Sequence, residues 1–178
     1  LVTVGNRLQY EMDVDFLAQM KKTLRTNGKI KWIIVGKDLG TIFYDYMKDA
    51  IEEGQIIEWG FEERLSSLYQ ICDVYVNPNR LGGCGSIELA MEYGMPIAMT
   101  KAMSDIAPVI KSENCKQDYS EMFLYIKDLF QSSKVRAAEG QKMKRLIDRE
   151  DLTVEYFVDV LLAAYKDCGK RRNMNEQD

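Results

Sequence analysis

Asp73-Val74-Tyr75-Val76, Asn77-Pro78-Asn79-Arg80-Leu81-Gly82-Gly83-Cys84-Gly85-Ser86, Ile87-Glu88-Leu89-Ala90-Met91-Glu92-Tyr93-Gly94 and Met95-Pro96-Ile97-Ala98-Met99 are four consecutive runs, and their order decides the fold. The first is a β-branched and aromatic run stopped by Asn77-Pro78, which predicts a strand. The second is a polar loop with glycines at 82, 83 and 85. Ser86 to Tyr93 then predicts a helix stopped by Gly94, and Met95 to Met99 a strand. Two strands joined through a helix lie parallel in one sheet.

The same alternation runs upstream. Val2-Thr3-Val4 predicts a strand ending at Gly5, and Asp13 to Leu24 a helix with Phe16, Leu17, Met20 and Leu24 on one face, stopped by Asn27-Gly28. Lys31 to Val35 is apolar on both faces, as in the interior of a parallel sheet. A helix over Thr41–Glu53, a strand over Ile56–Trp59 and a helix over Arg64–Ile71 complete it. The fold class is α/β, a doubly wound parallel sheet. After Asp118 additional C-terminal helices follow. Met122, Ile126, Leu129 and Phe130 mark one, Val135 to Ile147 another, and Val154, Phe157, Val158, Leu161, Leu162 and Tyr165 a strongly amphipathic last helix. Its apolar face is expected to pack into the core. One domain is expected over residues 1–172, with a polar tail at 173–178. Trp32, Trp59, Tyr75 and the methionines are expected in the core.

Composition narrows the function. The chain has 178 residues, 46% hydrophobic and 29% charged, with net charge −4 and no histidine. The pI near 5.1 speaks against a nucleic-acid partner, and Lys170-Arg171-Arg172 reads as a solvated tail. No apolar run reaches the ~20 residues of a membrane span. Cys72, Cys84, Cys115 and Cys168 are widely spaced, which favours reduced thiols in a cytoplasmic setting, with the inner face of a membrane as an alternative. Without histidine, imidazole general bases, Ser-His-Asp and Cys-His nucleophiles and His-ligated zinc are excluded within this chain. No metal-ligand spacing is present, and no cofactor is expected.

The glycine loop carries the chemistry. Gly82, Gly83 and Gly85 before a helix N-terminus allow close backbone approach to a ligand, and the N-terminal N–H groups with the helix dipole favour an anion such as phosphate. Two readings are open: a phosphate cradle, or glycines that only turn the chain. Ser86 is either an N-cap or a donor to phosphate. Arg80 is either a fork onto a diphosphate or an ion-pair partner. A P-loop would need Gly-Lys-Ser/Thr, and a dinucleotide fingerprint would follow the first strand; neither pattern is there.

The elements and this loop together resemble the C-terminal, donor-binding half of GT-B glycosyltransferases, in particular the large retaining family that includes sucrose and mannosyl transferases. The resemblance covers Val2 to Asp118. It is carried by Val4-Gly5-Asn6-Arg7-Leu8, Trp32-Ile33-Ile34-Val35-Gly36, Trp59-Gly60-Phe61, Leu68-Tyr69-Gln70-Ile71-Cys72-Asp73-Val74-Tyr75-Val76-Asn77-Pro78, the glycine loop, and Ala90-Met91-Glu92-Tyr93-Gly94-Met95-Pro96. It implies a nucleotide-sugar donor at the C-terminal edge of the sheet. Gly82, Gly83, Cys84, Gly85 and Ser86 would sit on its diphosphate and sugar, Arg7 would neutralise the diphosphate, and Gly60 and Phe61 would read the base. It further implies that no metal is needed, and that a preceding N-terminal domain, absent from this chain, binds a saccharide or lipid-linked acceptor.

Two departures from the family pattern stand out. Its paired glutamates would fall at Leu81 and Leu89, and its lysine at Asp13. Glu88 and Glu92 lie close to the second position and are either substitutes or a solvated helix face. Lys101 and Ser104-Asp105 are weaker candidates at the same sheet edge. The expected function is the nucleotide-sugar-binding half of a glycosyltransferase in surface or exopolysaccharide synthesis; the catalytic residues are left open. The alternative is a non-catalytic GT-B-like binding or partner module. A nucleotide-sugar epimerase is disfavoured by the absence of histidine.

Overall fold

The structure is a computed structural model. It describes residues 1–80, 82, 84–101, 105–148, 158–159 and 161–162. Leu81, Gly83, Ser104, Cys168, the basic cluster at 170–172, the tail at 173–178 and most of the expected last helix lie outside the described residues. Val158, Asp159, Leu161 and Leu162 are helical, but the three apolar ones are 42–52% exposed, so the described part of this face is not covered as core packing would require.

Five parallel strands form one sheet: β1 (Val2–Val4), β2 (Trp32–Val35), β3 (Ile56–Gly60), β4 (Tyr75–Val76) and β5 (Ile97–Ala98), in the spatial order β3-β2-β1-β4-β5. The helices are α1 (Leu8–Glu11), α2 (Val14–Thr26), α3 (Thr41–Glu52), α4 (Leu65–Tyr69), α5 (Cys84–Glu92), α6 (Ala107–Ile110), α7 (Tyr119–Gln131) and α8 (Ser133–Ile147). Among the described residues no helix is long and apolar enough to cross a membrane.

Strand alternation sorts the core into two layers. Trp32 and Ile34 of β2 and Val76 of β4 face α1, α2, α3 and α7, together with Leu8, Phe16, Phe43 and Phe123. Ile33 and Val35 of β2 and Tyr75 of β4 face α4, α5, α6 and α8, together with Ile87, Met91, Ile110 and Met143. Helices on both faces explain why every residue of β2 is buried. The buried Thr3 hydroxyl ties three strands together: it donates to the Val76 carbonyl at 2.8 Å and accepts from Trp32 Nε1 at 3.0 Å. Asp13, at the position of the family's lysine, caps α2 by accepting from the Phe16 N–H at 2.8 Å.

Several expectations are corrected. Trp59 is 45% exposed, because β3 is an edge strand whose outer residues no helix covers. Strand β5 is confined to Ile97–Ala98. Helix α4 stops at Tyr69 instead of Ile71. Helix α5 begins at Cys84 instead of Ser86, so Ser86 is not its N-cap but lies in its first turn. The chain turns at Gly82, whose φ of 88° favours glycine. The short helices α1 and α6 were not foreseen.

Candidate functional site

Strand β1 is central, and its two neighbours, β2 and β4, are reached by connections that leave in opposite directions along the sheet. In open α/β sheets ligands settle outside the carboxyl ends of the strands at such a switch point. A cleft of about 350 Å³ opens there. Val4, Gly5, Asn6 and Arg7 enter it after β1, Gly36 after β2, Phe61 and Glu62 after β3, and Arg80 and Ser86 after β4. A groove of about 470 Å³ between α2 and α7 is larger, but it is lined by those two helices and by Ile30, ahead of β2, and by none of the loops that follow the strands.

The two arginines of the cleft are in opposite states. Arg7 sits before α1 with its side chain 69% exposed, 3.8 Å from Glu11. Arg80 has a side chain only 2% exposed and pairs with Glu11 Oε2 at 3.1 Å. Its Nε donates to Asn77 Oδ1 at 2.7 Å and its Nη2 to the Tyr75 hydroxyl at 3.0 Å. The guanidinium lies directly on Gly5, where a Cβ would overlap Nη1. Of the two readings open for Arg80, the ion pair is therefore present, buried rather than at the surface.

Around the glycine loop, Ser86 Oγ lies 2.9 Å from the Tyr75 hydroxyl, and the Ser86 carbonyl accepts from the Tyr69 hydroxyl at 2.8 Å. These bonds hold the first turn of α5 against β4 and α4. Gly85 stands in that turn, and among the described residues no atom outside its own turn lies within 4 Å of where a Cβ would be. The Cys84 thiol donates to Glu88 Oε1 at 2.9 Å. Burial, reinforced by the Glu88 carboxylate, pushes the thiol up to about 12. Glu88 is thus already engaged, half-buried along α5, while Glu92 is exposed further on. Leu89 packs against the second core layer.

At the other end of the cleft, Phe61 is 63% exposed and Lys37 Nζ lies 6.0 Å from its ring centre. Gly60 closes β3 with φ of 79°. Glu62 accepts from Trp59 Nε1 at 3.1 Å and from the Arg64 N–H at 2.8 Å, and these bonds hold its carboxyl below the ordinary range. Lys101 bonds Gln117 at 3.3 Å and Asp105 is exposed; neither lines the cleft.

Arg7, Phe61, Arg80 and Ser86 therefore meet in one cleft, with Gly60, Gly82, Cys84 and Gly85 adjoining it in the chain; Glu88 and Glu92 lie along α5. Sequence reasoning missed Glu11, Glu62 and the role of Tyr75. The spacing Arg7-x-x-x-Glu11, one helical turn, was the available signal for Glu11. The hydroxyl of a tyrosine in an otherwise apolar strand was the signal for Tyr75. Among the described residues, Cys72, Cys84 and Cys115 are free thiols, and no group of three or more Cys, Asp or Glu is placed to hold a metal ion.

Comparisons with known proteins bear on the family and the fold. The family model described as Glycosyl transferases group 1 matches residues 1–128. No curated protein matches the sequence. Among solved structures, a variant of TarM from S. aureus in complex with fondaparinux, alpha-GlcNAc-glycerol and UDP superposes with TM-score 0.75 at 14% identity, over 91% of this chain and 34% of that one. The C-terminal domain of LpcC, a glycosyl transferase group 1 family protein from Francisella tularensis, gives 0.65 at 19% identity, over 82% and 83%. HepE from Anabaena in complex with UDP and glucose gives 0.65 at 16%, over 91% and 47%. The chain spans about a third of the length of TarM and about half that of HepE.

Proposed function

We propose, from the premise that this chain belongs to the glycosyl transferases group 1 family, that it is the nucleotide-sugar-binding half of a glycosyltransferase. The cleft at the carboxyl ends of β1 and β4 would take a nucleoside diphosphate sugar. The whole enzyme would pass the sugar to a saccharide or lipid-linked acceptor in surface or exopolysaccharide synthesis, with a further, N-terminal domain holding that acceptor. Residues 1–172 would be the donor domain and 173–178 a tail, in a cytoplasmic protein or one at the inner face of a membrane. The reading includes no cofactor besides the donor substrate.

Each group has a task in it. When the sugar leaves, negative charge grows on the nucleoside diphosphate, and donors aimed there act more strongly in the transition state than in the ground state. The exposed Arg7 and the N–H groups opening α5 supply that stabilisation, and Ser86 adds a hydroxyl. Phe61, beside the Lys37 cation, offers a ring face to the base. That TarM and HepE were solved with UDP fits the size and chemistry of such a ligand.

The observation that carries the reading is Gly85. A glycine inside a helix costs about 0.5–1 kcal/mol relative to alanine, its φ is not in the left-handed region, and among the described residues no atom outside its own turn stands near the missing side chain. The described residues give no packing reason for it; a ligand resting on the first turn of α5 does. Gly85→Ala is expected to keep or raise the melting temperature while weakening a nucleoside diphosphate, by calorimetry, about tenfold. Unchanged affinity, or no binding of UDP, GDP or ADP to the unaltered chain, would overturn the reading. The second reading, a non-catalytic binding or partner module, rests on Leu89, an apolar residue packed into the core where the family carries a glutamate.

A further inference from the structure

Among the described residues two carboxylates line the cleft, and they are held in different ways. Glu11 is taken by arginines: its Oε2 meets Arg80 Nη1 at 3.1 Å and its Oε1 lies 3.8 Å from Arg7 Nε. Glu62 is held by uncharged donor groups. Its Oε2 accepts from the Trp59 indole N–H at 3.1 Å and its Oε1 from the Arg64 backbone N–H at 2.8 Å. A carboxylate offers about four acceptor sites, so each Glu62 oxygen keeps room for a further donor. With the indole on one oxygen and the backbone on the other, the group is fixed in direction. The same bonds keep it ionised at neutral pH.

An ionised carboxylate in a cleft for a diphosphate repels the phosphates. What it suits is the uncharged part of the same ligand that carries donors: the ribose diol or the N–H edge of the base. Position decides between these. Glu62 lines the cleft together with Arg7, whereas Trp59 lines a neighbouring hollow of about 410 Å³ with Lys37, Asp38 and Tyr44, and Gly36 borders both. A flat base fits the aromatic side chains on that side, and the phosphates belong with Arg7 and the first turn of α5. Glu62, in the cleft yet bonded to a residue of the hollow, stands at the junction of the two. The ribose is what joins base to phosphates. Trp59, left 45% exposed on an edge strand, thereby has a task.

We propose that Glu62 takes the two ribose hydroxyls of the nucleotide, one on each carboxylate oxygen, with Trp59 as the positioning residue that holds it for them. This rests on the reading that the cleft takes a nucleoside diphosphate, and it makes the site selective for ribonucleotides over their deoxy forms.

Calorimetry on the 178-residue chain tests it. UDP, GDP and ADP are compared, and the tightest is carried forward with its 2′-deoxy and 3′-deoxy forms. The unaltered chain is expected to bind each deoxy form about tenfold more weakly than the ribonucleotide. Glu62→Ala is expected to weaken the ribonucleotide about tenfold and to bind all three forms within about twofold of one another. Trp59→Phe, which keeps a ring and removes the N–H, is expected to reduce the preference to about threefold at an unchanged melting temperature. Equal affinity of the unaltered chain for the three forms would overturn the proposal. So would a Glu62→Ala chain that keeps the preference: losses equal across the forms would move the carboxylate to the base, and tighter binding of all three would reduce it to a repelling surface charge. An unchanged preference in Trp59→Phe would overturn the positioning role. Each of these results leaves the donor site in place, whereas failure of the unaltered chain to bind any of the three diphosphates would overturn both readings.

Discussion

On one face of the sheet Phe16 is the centre of an aromatic cluster, with ring centres 6.0 Å from Trp32, 5.4 Å from Tyr119 and 5.7 Å from Phe123, and Phe43 continues it at 5.9 Å from Trp32. On the other face Met91, Met95, Met99 and Met143 fill the space between β4, β5, α5 and α8. Of the two tyrosines there, Tyr69 donates its hydroxyl to the Ser86 carbonyl, and the Tyr75 hydroxyl lies 2.9 Å from Ser86 Oγ. Buried methionines are as many on the first face, in Met12, Met20, Met47 and Met122, so the faces differ in how their aromatic groups are used. On the first, rings pack edge to face, an arrangement with few good geometries; on the second, tyrosine hydroxyls hold in direction the helix that carries the candidate site.

The largest expected effect would break or confirm that contrast. Phe16→Ala is expected to cost about 3–5 kcal/mol, while Met91→Leu on the other face should cost less than about 1.5 kcal/mol, both read from urea unfolding. Similar costs at the two positions would erase the difference between the faces.

Next comes the pair of arginines. Arg80→Ala leaves Glu11, whose side chain is only 11% exposed, with the longer contact to Arg7 in place of its close pair, and should cost about 3 kcal/mol. Arg7→Ala, at an exposed pair, should change stability by less than about 1 kcal/mol and instead weaken a nucleoside diphosphate about tenfold. If Arg7→Ala lowers the melting temperature without altering affinity, its assignment to the ligand fails.

The smallest effect is a dependence on alkaline pH. Burial raises Tyr69 and Tyr75 on one face and Tyr119 and Tyr125 on the other above the ordinary 10.0, and Cys84 from 9.0 to about 12. Above those ordinary values the unfolded chain releases protons that the folded chain keeps, so stability falls as pH rises. Melting temperatures are expected to decline from about pH 9; because burial raises the Cys72 and Cys115 thiols as well, Cys84→Ala should make that decline shallower without moving its onset. A decline of unchanged steepness would remove Cys84 from the account.

The contrast also shows what could be read from the chain alone. Period-two strands and period-3.6 helices gave the order of elements, because Phe16, Leu17, Met20 and Leu24 or Trp32 to Val35 announce their burial locally. Helix α1 escaped because four residues carry no periodicity, and with it went Glu11. Trp59 was misplaced because nothing local says that β3 lies at the edge of the sheet. Ser86 was legible in the glycine loop before a helix, whereas Arg7 and Phe61 came from the family resemblance; all three stand near strand ends, where ligands gather. The pairing of Arg80 with Glu11 was not, since it joins loops distant in the chain and depends on β1 and β4 lying side by side.

That adjacency has a kinetic side. The central strand is the first in the chain, and β1, β2 and β3 with α2 and α3 can assemble from residues 1–60 alone. Strand β4 must then find the open edge of β1 across a long stretch of intervening chain, a slow kind of contact to form. The wall that brings Arg80 and Ser86 is thus expected to join late. A ligand seated in the cleft holds that wall against β1, so it should slow unfolding, as measured by unfolding rates in urea with and without a nucleoside diphosphate.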